Sequence, residues 1–269
     1  MSAMALTMLD ETGSTNDDVR ALAHEGAAHG TAVAALVQTA GRGRRGHGWV
    51  SPRGNLYLSV LLRPAVPMQL FMGLSAVCSL GVLHALREDL GVGAAALKWP
   101  NDVVLDGGKL AGILVEAGSS PAGLYAVCGV GLNVEPLGED AQALFDSPRA
   151  LPRSCVAQAL GEKPRDMEAT ARVFQRRIVE AVDAWAAALG GGRAAAGPLA
   201  PVLDEYADSL AMLGEPVAVL DPAGATVDVG TFAGIDCWGR ATVRAPDGRE
   251  MEFSAEQASL RPIGTDVAL

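Results

Sequence analysis

GRGRRGHGW, residues 41–49, admits two opposed readings, and the residues around it decide between them. As a pattern, Gly41, Gly43 and Gly46 satisfy G-x-G-x-x-G, the fingerprint of a dinucleotide-binding turn. That reading needs a helix opened by the third glycine and an acidic residue about 20 positions further on for the ribose. Here the loop runs into HGWVSPRGNLYLSVLL, where Pro52 and Gly54 deny a helix and LYLSVLL reads as a strand. No Asp or Glu lies between Glu25 and Glu88. The dinucleotide reading fails. What remains is a glycine-rich loop between two strands that carries three fixed charges, Arg42, Arg44 and Arg45. It suits a multiply charged anion such as a nucleotide phosphate.

Outward from the loop, the pattern predicts α+β architecture. Ser14-Thr15-Asn16-Asp17-Asp18 is a helix start with a capping-box pattern, and that helix runs to about Glu25. AVAALVQT (32–39) is a buried strand, 56–62 a second, and about Gln69 to Asp89 a long helix stopped by Gly91. AALKW, VVL, KLAGILVEA and LYAVCGVGLNV form a run of strands, with Asp106-Gly107-Gly108 as a hairpin turn. Four strands in succession after a helix imply a mixed or antiparallel sheet rather than alternating α/β. Beyond the proline-rich 136–152 region, Met167, Ala171, Phe174, Ile178, Val182, Trp185 and Leu189 make one apolar helical stripe. GGGRAAAG (190–197) reads as a linker, followed by a short helix with Leu199, Leu203, Tyr206 and Leu210. The texture beyond Gly214 is that of a small all-β barrel. The expected division is a main domain over 1–213 and a barrel over 214–269.

Composition narrows the function. The net charge of −10 and 4% aromatic content argue against a general nucleic-acid binder built on Arg42, Arg44, Arg45 and Trp49. Cys78, Cys128, Cys155 and Cys237 lie far apart without C-x-x-C spacing, which reads as reduced cytoplasmic thiols. The N-terminus has no basic n-region or apolar h-region. Leu70 to Leu86 is uncharged but shorter than the ~20 residues of a membrane span, hence a buried helix. Of 21 basic residues only Lys98, Lys109 and Lys163 are lysine, and two of these fall within 98–109. A compact ammonium there does what a forked guanidinium cannot.

Three further segments join the arginine loop. KWPND (98–102) sets a lysine beside Asn101 and Asp102, an oxygen ligand suited to Mg²⁺. KLAGILVE (109–116) places Lys109 at the head of a strand whose Gly112 permits close approach. GVGLN (129–133) clears side chains for a flat group and offers Asn133 to hydrogen-bond it.

With STN (14–16), QTAGRGRRG-x-x-W (38–49), SPRGNLYLS (51–59) and SLRP (259–262), these segments resemble the biotin protein ligases from Ser14 to Pro262. The resemblance implies the mixed-sheet fold of class II synthetases and lipoate ligases, with an SH3-like C-terminal barrel. It implies activation of biotin by ATP to biotinyl-5′-AMP, with Mg²⁺, and transfer to one lysine of a biotin carboxyl carrier domain. By motif, Ser14, Thr15, Asn16, Gln38, Gly41, Arg42, Gly43, Arg44, Lys109 and Gly112 would surround biotin. Arg42, Arg44, His47, Trp49, Asn101, Lys109 and Asn133 would hold ATP, Lys109 and Arg44 would act in catalysis, and Asp102 would face the metal. The family loop commonly continues GRGRRGR, whereas this chain has His47. STN begins at residue 14, so the expectation is the type without a DNA-binding domain: no DNA, no membrane, a homodimer allowed. Lipoate ligation in the same fold is the nearest rival. A non-catalytic adaptor would leave Lys98 and Lys109 unexplained.

Overall fold

The structure, a computed structural model, describes residues 4–46, 48–137, 151–190 and 196–263. A seven-stranded mixed sheet organises the first part, in the order β1-β2-β3-β7-β6-β5-β4. The strands are β1 (Leu6–Leu9), β2 (Ala32–Ala35), β3 (Leu56–Leu62), β4 (Ala96–Lys98), β5 (Asp102–Leu105), β6 (Gly108–Ser120) and β7 (Gly123–Leu132). Only β1 and β2 pair in parallel; every other neighbouring pair is antiparallel.

Strand β3 is buried at every position because both faces of the sheet are covered. Its period-two alternation assigns the faces. Leu56, Leu58, Val60 and Leu62 join the main core, whereas Leu61 packs with Val19 and Ala23. Those two belong to α1 (Thr15–His24). The main core is closed by α2 (Leu74–His84) and α4 (Met167–Gly190), which pack against each other. A short helix, α3 (Val156–Leu160), precedes α4.

The apolar stripe of α4 lies where its spacing places it, with Ala171, Phe174, Ile178, Val182 and Trp185 at most 1% exposed. Trp185 donates its indole N–H to the Pro198 carbonyl at 2.6 Å, so burial leaves its one polar atom satisfied. Truncating a residue such as Phe174 would cost about 3–5 kcal/mol, cavity included.

The long helix expected over 69–89 is composite. A 3₁₀ turn (Met68–Gly73) leads into α2, and a wide turn (Ala85–Asp89) ends it before Gly91 at φ 80°. The stretch is apolar enough to pass for a membrane span by length and composition, yet 72% of its 18-residue apolar window is buried inside the protein. The Asp106–Gly107 turn has both residues at positive φ, 49° and 75°, as a two-residue hairpin of right-handed twist requires.

The capping box at α1 does not form. Ser14 stands at the N-cap with extended dihedrals, and its carbonyl accepts the N–H groups of Asp17 and Asp18, but its side chain makes no cap bond. The carboxylates find tertiary partners instead: Asp17 binds Arg42 and Arg20, and Asp18 accepts a 2.7 Å bond from Thr12. The linker residues 191–195 and most of the proline-rich region, 138–150, lie outside the described residues.

The segment 216–262 folds as a separate five-stranded antiparallel sheet. Its strands are β8 (Pro216–Leu220), β9 (Thr226–Ile235), β10 (Ala241–Arg244), β11 (Glu250–Phe253) and β12 (Ser259–Pro262). A single turn of helix, α5 (Leu203–Asp208), joins it to the first part. Trp99, buried at the end of β4, donates its indole N–H to Gly239 and ties the two sheets together.

Candidate active site

On the α1 side of the sheet, glycines of β7 and β6 clear a floor beside β3. Ser59 pairs with Gly129 and Tyr57 with Gly131, while Gly131 faces Gly112 across the next ladder. A cavity of about 390 Å³ opens above this floor. Among the described residues, every expected site residue except Gly41 lines it. Gly41 stands at the loop stem, where a Cβ would come within 2.4 Å of the Trp49 carbonyl; close packing requires its glycine. His47 lies outside the described residues.

One end of the cavity is neutral and polar. Gln38 Oε1 accepts from the Thr15 backbone N–H at 2.9 Å and from the Thr15 hydroxyl at 3.0 Å. Its Nε2 donates to Ser51 at 3.1 Å, which fixes the amide's orientation. Ser59 Oγ lies 2.5 Å from Asn16 Oδ1 and 2.8 Å from Thr15 Oγ1. Ser14, Thr15 and Asn16 are all buried. Ser51 and Ser59 were not anticipated as site residues, although a serine in the middle of LYLSVLL was a visible signal. A polar side chain inside a fully buried strand must find partners.

The other end is a cluster of charge. Asp102, at the start of β5, has its carboxylate 2.6 Å from Lys109 Nζ and 3.9 Å from Lys98 Nζ. Burial raises the Asp102 pKa, but Lys109, Lys98 and Arg44 outweigh it and hold the carboxyl below its ordinary value. Burial pushes the Lys98 ammonium down, against the pull of Asp102. Burial, then the neighbouring Arg45, lowers Arg44 as well. Arg44 reaches Asn101 Oδ1 at 3.3 Å and the Ala255 carbonyl at 2.6 Å. Arg45, in the left-handed region at φ 57°, donates to the carbonyls of Ala255, Glu256 and Ala258. The crest of the loop is thereby fastened to the C-terminal sheet.

Two contacts within the protein take up part of this end. The flat group lying on the glycine floor is the protein's own Trp49 indole. A Cβ at Gly131 would come within 2.5 Å of it and one at Gly112 within 2.8 Å. Lys109 Nζ sits 4.8 Å from the centre of that ring, a cation–π contact. Asn133, expected to hold the ligand, has its amide engaged by the scaffold: it donates to the Lys109 carbonyl at 2.8 Å and accepts from Arg153. It fixes the backbone of the lysine.

Asp102, the carboxylate expected to face the metal, is ion-paired within the protein. The carboxylate faces two ammonium groups, and among the described residues no group of three or more His, Cys, Asp or Glu side chains could hold a metal ion. A lone, already neutralised carboxylate does not fit a protein-held Mg²⁺. Such an ion would travel with the nucleotide's own phosphates.

A larger cavity of about 860 Å³ opens on the far side of Arg44, among Met68, Met72, Trp99, Trp238 and Arg240. Neither Lys109 nor Asp102 lines it, so the smaller cavity is where chemistry can occur.

Comparison with known proteins agrees with this geometry. The biotin/lipoate A/B protein ligase family matches residues 10–133. A biotin–[acetyl-CoA-carboxylase] ligase of Paracoccus denitrificans is 37% identical over 251 residues, 93% of this chain and 98% of the relative. The chain belongs to the biotin protein ligase family. The corresponding ligase of Mycobacterium tuberculosis is 42% identical over 182 residues, 64% of this chain and 65% of that protein. In three dimensions, the biotin protein ligase of Aquifex aeolicus in complex with biotin and ATP superimposes with a TM-score of 0.74 at 26% identity. It covers 96% of this chain and 99% of the other.

Proposed function

We infer that this protein is an ATP-dependent biotin protein ligase. The observation that carries the reading is the joining, in one 390 Å³ cavity, of a neutral hydrogen-bonding end to a cationic end centred on Lys109. In the first step a carboxylate oxygen of biotin attacks the α-phosphorus of ATP, the bond to the bridging oxygen breaks, and pyrophosphate leaves. Two anions must approach, and charge grows on the equatorial oxygens. Lys109 and Arg44 supply the compensating positive charge from fixed positions. When bound with the nucleotide, Mg²⁺ adds charge neutralisation at the phosphates. In the second step a carrier lysine amine attacks the acyl carbon of the mixed anhydride, loses a proton, and AMP departs. The arginine loop, closed over the cavity, keeps water from the anhydride.

Thr15, Asn16 and Gln38 would read the fused ring of biotin. A site built to hydrogen-bond a polar ring rejects an analogue that lacks the partners; lipoate, with a dithiolane ring, lacks them. The acceptor of this reading is the biotin carboxyl carrier domain of an acetyl-CoA or related carboxylase. The five-stranded C-terminal sheet is read as the SH3-like domain from residue 214 onward, and 1–213 as the catalytic domain. Free Cys78, Cys128, Cys155 and Cys237 suit a reducing, cytoplasmic setting. The acidic net charge of −10 supports a protein that does not engage DNA or an anionic membrane.

The test is labelling of a purified carrier domain. Incorporation that requires both biotin and ATP, and that lipoate does not replace, is the expected result. Equal incorporation of lipoate, or none of biotin, overturns the reading.

A further inference from the structure

Arg42 does not reach the cationic end of the cavity. Its guanidinium grips Asp17 of α1 through two bonds, 2.6 and 2.9 Å, and its Nη2 lies 3.5 Å from Oε2 of Glu116 on β6. The same Glu116 oxygen accepts from Asn16 Nδ2 at 2.6 Å. The other end of the Asn16 amide is taken by Ser59, 2.5 Å from Oδ1. A Cβ at Gly129 would stand 2.3 Å from that oxygen, so only a glycine in the strand beneath leaves the Asn16 amide its place. A single carboxylate oxygen therefore joins the wall of the neutral pocket to the stem of the arginine loop.

Stability does not explain this arrangement. The side chains of Arg42, Asp17 and Glu116 are 33%, 43% and 36% exposed, and ion pairs at that exposure contribute little to folding. What the arrangement fixes is geometry. Asn16, only 6% exposed, has its amide turned by a partner at each end. The loop stem, held between α1 and β6, is set at a defined distance from it.

We propose that Glu116 is a positioning residue for the biotin half of the site, holding the Asn16 amide and the Arg42 stem in register. The inference rests on the reading of this cavity as a biotin and ATP site. Glu116 does not line the cavity, whereas Asn16 and Arg42 do, and it acts through them. Its loss therefore weakens biotin recognition selectively, because Lys109, Arg44 and Trp49 keep their own partners.

The experiment compares Glu116→Ala and Glu116→Gln with the wild-type chain, measuring KM for biotin, KM for ATP, kcat and Tm. A hydrogen bond to a charged group is worth enough that Glu116→Ala raises biotin KM about tenfold, while ATP KM and Tm stay within about twofold and about 2 °C. Glutamine retains an acceptor for Asn16 and loses only the charge facing Arg42, so Glu116→Gln returns biotin KM to within about threefold of wild type. Biotin KM unchanged in the alanine variant overturns the inference. So does a parallel rise of both KM values, or a Tm loss that the glutamine variant shares. If the alanine variant does not fold, Glu116→Met, which fills the space without accepting from Asn16, must raise biotin KM and leave ATP KM unchanged. A wild-type chain that turns over neither substrate defeats the ligase reading, and this inference with it.

Discussion

At one end of the cavity Thr15, Asn16, Gln38 and Ser59 pass hydrogen bonds among neutral groups; at the other, Lys109, Lys98 and Arg44 crowd the Asp102 carboxylate and hold its pKa down. The two ends do different work. A neutral network discriminates by shape, since a ring without matching donors and acceptors leaves buried groups unpaired. A charge cluster is indifferent to the ring and stabilises whatever anion is formed beside it. Specificity and chemistry are therefore separable here, and substitutions at one end should leave the other largely unchanged.

The largest effect is expected at the charged end. Lys109→Arg keeps the charge but replaces a point with a planar fork. It should slow biotinyl-adenylate formation by about a hundredfold or more, with biotin binding and Tm nearly unchanged. Single-turnover adenylate formation is the measurement; a rate near wild type would remove Lys109 from the chemistry.

Two glycines on one face of β7 offer a sharper comparison. Gly129→Ala drives a methyl against Asn16 Oδ1, and Gly131→Ala drives the same methyl against the Trp49 indole. Each forces a displacement costing about 1–3 kcal/mol locally, roughly tenfold in the affected KM. The first should raise the KM for biotin and the second that for ATP. Both variants raising the same constant would show that the ends are coupled after all.

How much of this was visible in the chain follows from the range of the interactions. Strand 56–62 and the Asp106–Gly107 turn rest on local pattern and φ preference, and both fall where expected. The site residues were legible as a set because their motifs are contiguous. Their partnerships were not. Asp17 and Asp18 satisfied every local rule for a cap and then found stronger partners, Arg42 and Thr12, across the fold. Glu116, Ser51 and Ser59 lay inside quoted motifs but gained meaning only when β3, β6 and β7 came together. Asn133 and Asp102 line the expected cavity, but spacing could not say that the Asn133 amide also holds the lysine's own backbone or that Asp102 pairs with Lys109.

A smaller effect is expected from the crest of the loop. Arg45→Ala removes the bonds to the 255–258 carbonyls but leaves Arg42 and Arg44 attached. These bonds are largely exposed, so each contributes at most about 1 kcal/mol. Proteolysis in the loop should accelerate a few-fold (about 3) while adenylate formation changes by less than about twofold. Unchanged proteolysis would mean that Arg44 alone fastens the loop to the C-terminal sheet.

The smallest expected effect carries a definite sign. Lys98 is buried, and its folded pKa is depressed below 10.5 mainly by desolvation. Between that depressed value and 10.5 the unfolded chain binds a proton that the folded chain has released, so stability rises with pH across that window. Asp102 contributes nothing there. Its depressed pKa gives stability that is complete above the ordinary carboxylate range and is lost only as pH falls through the folded value, in acid. Three other groups oppose the Lys98 slope at high pH: burial pushes Tyr57 up to about 12 and raises Tyr206 too, and the Cys78 thiol is raised chiefly by its bond to Cys128. All three hold protons in the folded state that the unfolded chain gives up. The Lys98 contribution must therefore be read as a difference. Urea unfolding of the wild type and of Lys98→Met, followed from pH 7.5 to pH 10, should show the wild type gaining stability relative to the variant as pH rises. With only three lysines in the chain, few other ammonium groups share that window. Parallel curves for the two proteins would mean that Lys98 keeps an ordinary pKa, and that the charged end of the cavity is more open to water than its packing indicates.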